Sequence, residues 1–323
     1  MGSDVFDEPP SPADFGQMPP GWRHFLIDRG LVPESPTWAK QYVHGSAAYR
    51  LYMQDRLPEA AAACEAALAQ GLQGQSSWPA RLLYQVSAEL EARDSSRRLE
   101  RPPFVFELPA DDPRYDRLID LADRGAARVE KMLGFERPKT MFTLLPRGSL
   151  IQHTTARSGY MAPKEPYFKI CLPRPAPQKI GEADATLVHE YTHVATYQLS
   201  DWHAPRWLGE GLAQWMEDTV LGDVEFVEPL VPPGDFPPLG RIEGRFHADG
   251  GVEGFDPRRW AYDASLAAVR QLIAVHGEYD VREFLTRLAK ESEGRAFQQA
   301  FGQSERHFEH EWHERLRKEG QGR

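Results

Sequence analysis

Apolar residues recur at helical spacing over most of this chain, and short strand-like runs interrupt that period between residues 104 and 172. From residue 37 to about 93 the pattern is helical. Ala47, Ala48, Leu51 and Tyr52 lead into a break at Asp55, Arg56, Leu57 and Pro58, after which an Ala-rich run continues to Leu72. A further helix is expected over 79–93. Residues 97–103 are charged and Pro-containing and mark the expected boundary of this layer. Beyond it, 104–108, 140–145 and 167–172 read as strands. Between the first two, Leu118, Ile119, Leu121, Ala122, Ala126, Val129 and Leu133 recur as in a helix over 112–133, with Gly134 as its stop. Residues 183–199 contain no Pro or Gly and place Leu187, Val188, Val194 and Leu199 at helical spacing. The breaker stretch 201–205 then starts a new element. Residues 222–256 are dense in Gly and Pro, and a loop of that length inside a domain is read as a wall or lid of a cleft. Helices are expected again over 262–276, 281–291 and 305–318, the last two separated by a capped break at Phe301, Gly302 and Ser304.

Candidate chemistry lies on the helix over 183–199. His189, Glu190, Tyr191, Thr192 and His193 form a His-Glu-x-x-His run, and Trp207, Leu208, Gly209, Glu210, Gly211, Leu212 and Ala213 follow. Positions i and i+4 lie one turn apart on one helix face, so His189 and His193 can close on a single metal ion. Glu190 sits next to that face, within reach of a water at the open position. Glu210 has the type and spacing of a third ligand, and three protein ligands with an open fourth position define a catalytic rather than a structural zinc site. One Zn2+ per chain is therefore expected on His189, His193 and Glu210. The spacing excludes a metzincin site, because Leu199 stands where that pattern needs a third histidine. His203 reads as a loop residue. His307, His310 and His313 read as a solvated helical face.

His-Glu-x-x-His followed by Trp-Leu-x-Glu-Gly-Leu-Ala resembles the gluzincin metallopeptidases, most closely the peptidase MA-like family and more distantly the thermolysin-type and aminopeptidase N-type enzymes. The likeness runs from about residue 102 to the end, sharp at the metal site and soft elsewhere. It implies an α+β, thermolysin-like zincin domain: a small sheet and active-site helix, then a helical lobe. It also implies zinc on His189, His193 and Glu210 with Glu190 as general base. Tyr262 and Asp263 before an apolar helix are similar to the segment that opens on the transition-state tyrosine of aminopeptidase N-type enzymes. Tyr262 is thus the candidate oxyanion donor, although Ala264 and Ser265 depart from the Lys-Gly expected there. The aminopeptidase Gly-x-Met-Glu-Asn segment has its nearest match in Gly159, Tyr160, Met161, Ala162 and Pro163. Ala162 replaces the acidic anchor for a free amine, which favours an endopeptidase. Gln214 stands where thermolysin-type enzymes place an orienting Asp, leaving Glu217 or Asp218 as candidates for that duty. In gluzincins an exposed edge strand before the metal helix pairs with substrate, a role that 167–172 would take here.

The domains read as a Pro-rich extended arm over 1–36, a tetratricopeptide-like helical-hairpin layer over 37–100, and a gluzincin catalytic domain over 101–323. A solenoid needs about three repeats to stand alone, so the hairpins are expected to pack as an accessory layer, with binding of a protein partner the lesser alternative. Composition is that of a soluble globular protein, 41% hydrophobic and 27% charged. Net charge is −10 and the basic residues are scattered, so neither nucleic acid nor an anionic membrane is an expected partner. No apolar run has the length of a membrane span. Residues 1–20 lack the features of a signal peptide, which points to the cytoplasm for the sequence as it stands. Cys64 and Cys171, assigned to different domains, are expected as buried thiols. Peptide hydrolysis is the leading expectation. Zinc-dependent hydrolysis of a non-protein amide or small natural product is an alternative. So is an interaction module whose metal site is regulatory or vestigial.

Overall fold

The computed structural model describes residues 48, 51–69, 78–111, 113–146, 160–164, 167–174, 180–221, 238–242, 245–246 and 256–321. The arm over 1–36 and most of the 222–256 stretch lie outside the described residues. The architecture is mixed α+β, and the chain divides into two compact units: residues 1–123 with 137–190, and residues 124–136 with 191–323. Among the described residues no helix is long and apolar enough to cross a membrane.

In the first unit, helix α1 (Leu57–Ala69) packs on helix α2 (Trp78–Ser95), and α2 lies against the sheet. Leu57, Ala60, Cys64 and Ala67 are buried, a stripe of alternating 3- and 4-residue steps whose small members let the helices approach closely. Their core includes Tyr52, Leu82 and Val86 and extends to Leu145 and Cys171 on the sheet. Cys64 and Cys171 are free and share this one core. Burial, then the neighbouring Glu65, pushes the Cys64 thiol up to about 12.

Five strands follow: β1 (Ser96–Arg101), β2 (Phe104–Pro109), β3 (Thr140–Leu145), β4 (Tyr160–Lys164) and β5 (Tyr167–Pro173), in the spatial order β1-β2-β3-β5-β4. The interior three are mutually parallel, and both outer strands run antiparallel to their neighbours. Parallel strands covered on both faces are mostly apolar, and FVFELP and TMFTLL are buried at every position, with Glu107, Thr140 and Thr143 as the polar members. The charged stretch over 97–103 holds most of the outer strand β1 and its turn into β2, since an edge strand tolerates Arg and Glu. One expectation is corrected here. The strand over 167–172 is not the exposed edge, because β4 covers it.

Register puts Glu107, Thr143 and Lys169 on one face of the sheet, the face that meets α2. Lys169 is fully buried there, with its Nζ 3.0 Å from Glu89 and 3.7 Å from both Glu107 and Asp55. Thr143 donates to Glu107 at 2.7 Å, Tyr52 to Glu89 at 2.7 Å, and Arg93 to Asp55 at 2.6 Å. Burial alone would lower the Lys169 pKa, but Glu89 foremost, with Glu107 and Asp55, holds it above the ordinary lysine value. The opposite face is aromatic, with Phe106 stacked on Phe142 at 5.1 Å. A 3-10 turn (Pro113–Asp116) leads into helix α3 (Arg117–Leu133), which Gly134 ends in the left-handed region at φ 58.

Helices α4 (Ile180–Ser200), α5 (Arg206–Leu221) and the short α6 (Leu239–Ile242) are followed by α7 (Pro257–Leu288). Gly277, at φ 85 and ψ 168, breaks α7 in two near the expected gap between helices. Helix α8 (Glu293–Phe301) was not expected; its buried positions are Ala296, Phe297 and Phe301, too few in nine residues to read as a period. It ends on Gly302 at φ 71, and the Ser304 hydroxyl caps α9 (Glu305–Gln321) by accepting from His307 N–H at 3.2 Å. The phenyl rings of Phe284, Phe297, Phe301 and Phe308 join these elements. His307 and His310 are exposed as expected, whereas His313 is buried beside Trp312.

Candidate metal centre

The division between units falls inside α4, after Glu190, but the helix itself is unbroken. His189 and His193 occupy successive turns of it. Helix α4 stops at Ser200, where the Ala204 N–H donates to the Ser200 hydroxyl at 3.1 Å. Asp201 (φ 48) and Trp202 (φ 68) then reverse the chain in the left-handed region. The carbonyl of Pro205 accepts the first N–H groups of α5, from Leu208 and Gly209, both at 3.1 Å. That tight return brings Glu210 back onto α4.

Ligand atoms of His189, His193 and Glu210 all lie within 4.8 Å of one another. His193 Nε2 stands 3.7 Å from Glu210 Oε2. Two ligands on a tetrahedral zinc with bonds of about 2.0–2.1 Å are roughly 3.3–3.5 Å apart, so the His193–Glu210 pair is already near that spacing, while the 4.8 Å bound on the set leaves room for a larger side-chain closure onto an ion. Two imidazoles and one carboxylate suit zinc and not calcium or magnesium, which take oxygen ligands. The residues present therefore fit the metal that the sequence implies. His193, Glu210 and Glu190 are buried and His189 is half-buried. Among the described residues this is the one such grouping of His, Cys, Asp or Glu.

Arg206, four residues before Glu210 on α5, was not anticipated. Its Nε lies 3.4 Å from Glu210 Oε1, and its guanidinium rests 4.4 Å over the Phe246 ring. Phe246 in turn meets Tyr262 edge-on at 5.0 Å. Tyr262, half-buried in the first turns of α7, is thus joined to Glu210 through Phe246 and Arg206. Gln214 adds a second link, its Nε2 donating to the Glu210 carbonyl at 3.2 Å and to the Tyr262 carbonyl at 2.9 Å. Gln214 therefore ties the glutamate helix to the tyrosine helix. Asp218 pairs with Arg270 on α7. Gly211 sets how closely the two helices cross, since a Cβ there would overlap the Ser265 carbonyl. His203 keeps its Nδ1 3.2 Å from the Ser200 carbonyl, as a turn residue. The i−4 spacing of Arg206 from Glu210 was visible in the sequence and is the signal that would have found it.

No protein-family model matches this chain, and no curated protein matches its sequence.

Proposed function

We propose that the chain is a zinc-dependent metallopeptidase of the gluzincin, peptidase MA-like kind, acting as an endopeptidase. The observation that carries this reading is the buried convergence of His189, His193 and Glu210, with Glu190 next to His189 on the same helix. When bound, zinc supplies a water acidified to near neutral pH and a Lewis acid for the scissile carbonyl. Glu190 takes the proton of the attacking water on its carboxylate and returns it to the departing amine. The Tyr262 hydroxyl donates to the oxyanion of the tetrahedral intermediate. Arg206 holds one oxygen of Glu210, which leaves the other facing His193.

On this reading the mixed sheet is the small sheet of a thermolysin-like domain, and α1 with α2 is the tetratricopeptide-like layer. The sheet edge that would pair with an extended peptide is β4, the outer strand. Ala162 on β4 offers no carboxylate to a free amino terminus, which favours cleavage within a chain. Single-turnover hydrolysis of a peptide library by wild type and Glu190→Gln, with zinc content measured alongside, tests the assignment. Glu190→Gln keeps the shape and removes the base, so it should retain zinc and lose about 10²–10⁴-fold in rate. A Glu190→Gln variant as active as wild type would overturn it. Wild-type protein that carries zinc and cleaves small amides but no peptide would move the substrate to the non-protein class.

A further inference from the structure

We propose that Tyr197 and Trp202 position the metal ligand His193, an inference that rests on the zinc reading above. Three rings lie in one stack at the end of α4. The His193 imidazole and the Tyr197 ring have centroids 5.9 Å apart and planes 23° apart. Tyr197 and Trp202 are closer and flatter, at 4.7 Å and 11°. Tyr197 follows His193 by one helical turn, so the two side chains share a face. Trp202 is buried at 3% exposure and closes the far end of the stack.

The backbone beneath this stack is unusual. Trp202 N–H donates to the Tyr197 carbonyl at 2.9 Å, the six-to-one bond of a Schellman helix end. That motif needs one left-handed residue, a place Asp201 fills at φ 48. It also accounts for an apolar contact between Trp202 and Tyr197. It does not require Trp202 itself to be left-handed, yet φ there is 68. A bulky residue in that region is a true outlier, and such strain persists where surrounding structure over-determines it. Here the indole is held flat against Tyr197, and Tyr197 against the imidazole.

Helix α5 passes the same imidazole at Gly209, where only an added Cβ would come into van der Waals contact, 3.7 Å from His193 Nδ1. His193 therefore has an aromatic face beside it from its own helix, and the missing side chain of Gly209 leaves its other flank clear of α5. On this proposal the Tyr197 ring, backed by Trp202, favours one orientation of the imidazole before any ion arrives. Supporting partners of zinc ligands typically change metal affinity 10–100-fold when removed. Tyr197 and Trp202 act through His193, as positioning residues.

The test is the zinc dissociation constant, read by competition with a chromophoric chelator well below the melting temperature, with apo Tm recorded in EDTA. Tyr197→Leu and Trp202→Leu should each weaken zinc about tenfold or more. Tyr197→Phe and Trp202→Phe keep a flat ring and should stay within about threefold of wild type. Asp201→Gly relieves a left-handed residue outside the stack, so it should raise apo Tm and leave zinc affinity unchanged. Leucine variants that lose apo Tm but bind zinc as tightly as wild type would overturn the proposal, leaving a helix-end contact. Wild type that takes up no zinc would overturn the metal reading, and the proposal with it.

Discussion

Beneath the helical pair of the first unit, Lys169 is fully buried with Glu89 at 3.0 Å and Glu107 and Asp55 at 3.7 Å, whereas α4 and α5 gather three electron-pair donors within 4.8 Å. The first cluster answers each charge with its opposite inside the chain. The second sets two imidazoles and a carboxylate towards one point. Arg206 touches the far oxygen of Glu210, not the one facing His193. Burial of ionisable groups is common to both and so does not by itself mark function. What separates them is whether the groups neutralise one another or converge with like chemistry.

The sharpest way to break this comparison is to remove the cation from the first cluster. Lys169→Met leaves Glu89 and Glu107 buried without their ammonium, and breaking such a group costs about 3–5 kcal/mol. Denaturant unfolding should show that loss equally in EDTA and in zinc, because the cluster needs no ion. The second cluster should respond in the opposite way. Zinc at about 100 times its Kd should stabilise wild type by about 2.7 kcal/mol, read as a rise in Tm that EDTA reverses.

Two smaller effects sharpen the picture of the second unit. Gly211→Ala forces α5 away from the Ser265 carbonyl and should cost about 1–3 kcal/mol by the same unfolding measurement. Glu305 is half-buried, and its partial burial, then the neighbouring Glu293 and Glu309, raises its pKa from 4.5 to about 7. Between those values the folded chain holds a proton that the unfolded chain has released, so stability falls as pH rises through the window. The penalty is complete above it. Glu305→Gln should therefore raise Tm by roughly 2 °C near pH 8 and leave it unchanged near pH 4. An equal rise at both would assign the effect to packing.

Legibility in the sequence followed burial. The interior strands, FVFELP, TMFTLL and YFKICLP, were visible because covered parallel strands carry apolar residues at most positions. The outer strands, SRRLER and YMAPK, were not, because an edge needs no apolar period and tolerates both charge and proline. Strand order, which makes β4 rather than β5 the edge, depends on pairings far apart in sequence. Helix ends at Gly134 and Gly302 were readable because both positions take the left-handed backbone that glycine permits. At the candidate metal centre the local spacing of His189, Glu190 and His193 was legible as helix geometry, and the structure brings Glu210 to the same cluster. Arg206 carries a spacing signal, one helical turn before Glu210. The Tyr197–Trp202 stack had none, since it depends on a backbone conformation that tryptophan rarely adopts.

On the proposed function, His189, His193 and Glu210 hold one catalytic zinc. Metal analysis of protein purified without chelator, wild type beside His193→Ala, tests it most directly. About one equivalent of zinc in wild type, largely lost in a His193→Ala variant that remains folded, is the predicted result. Folded wild-type protein with no zinc, or a His193→Ala variant that keeps its full equivalent, would contradict it.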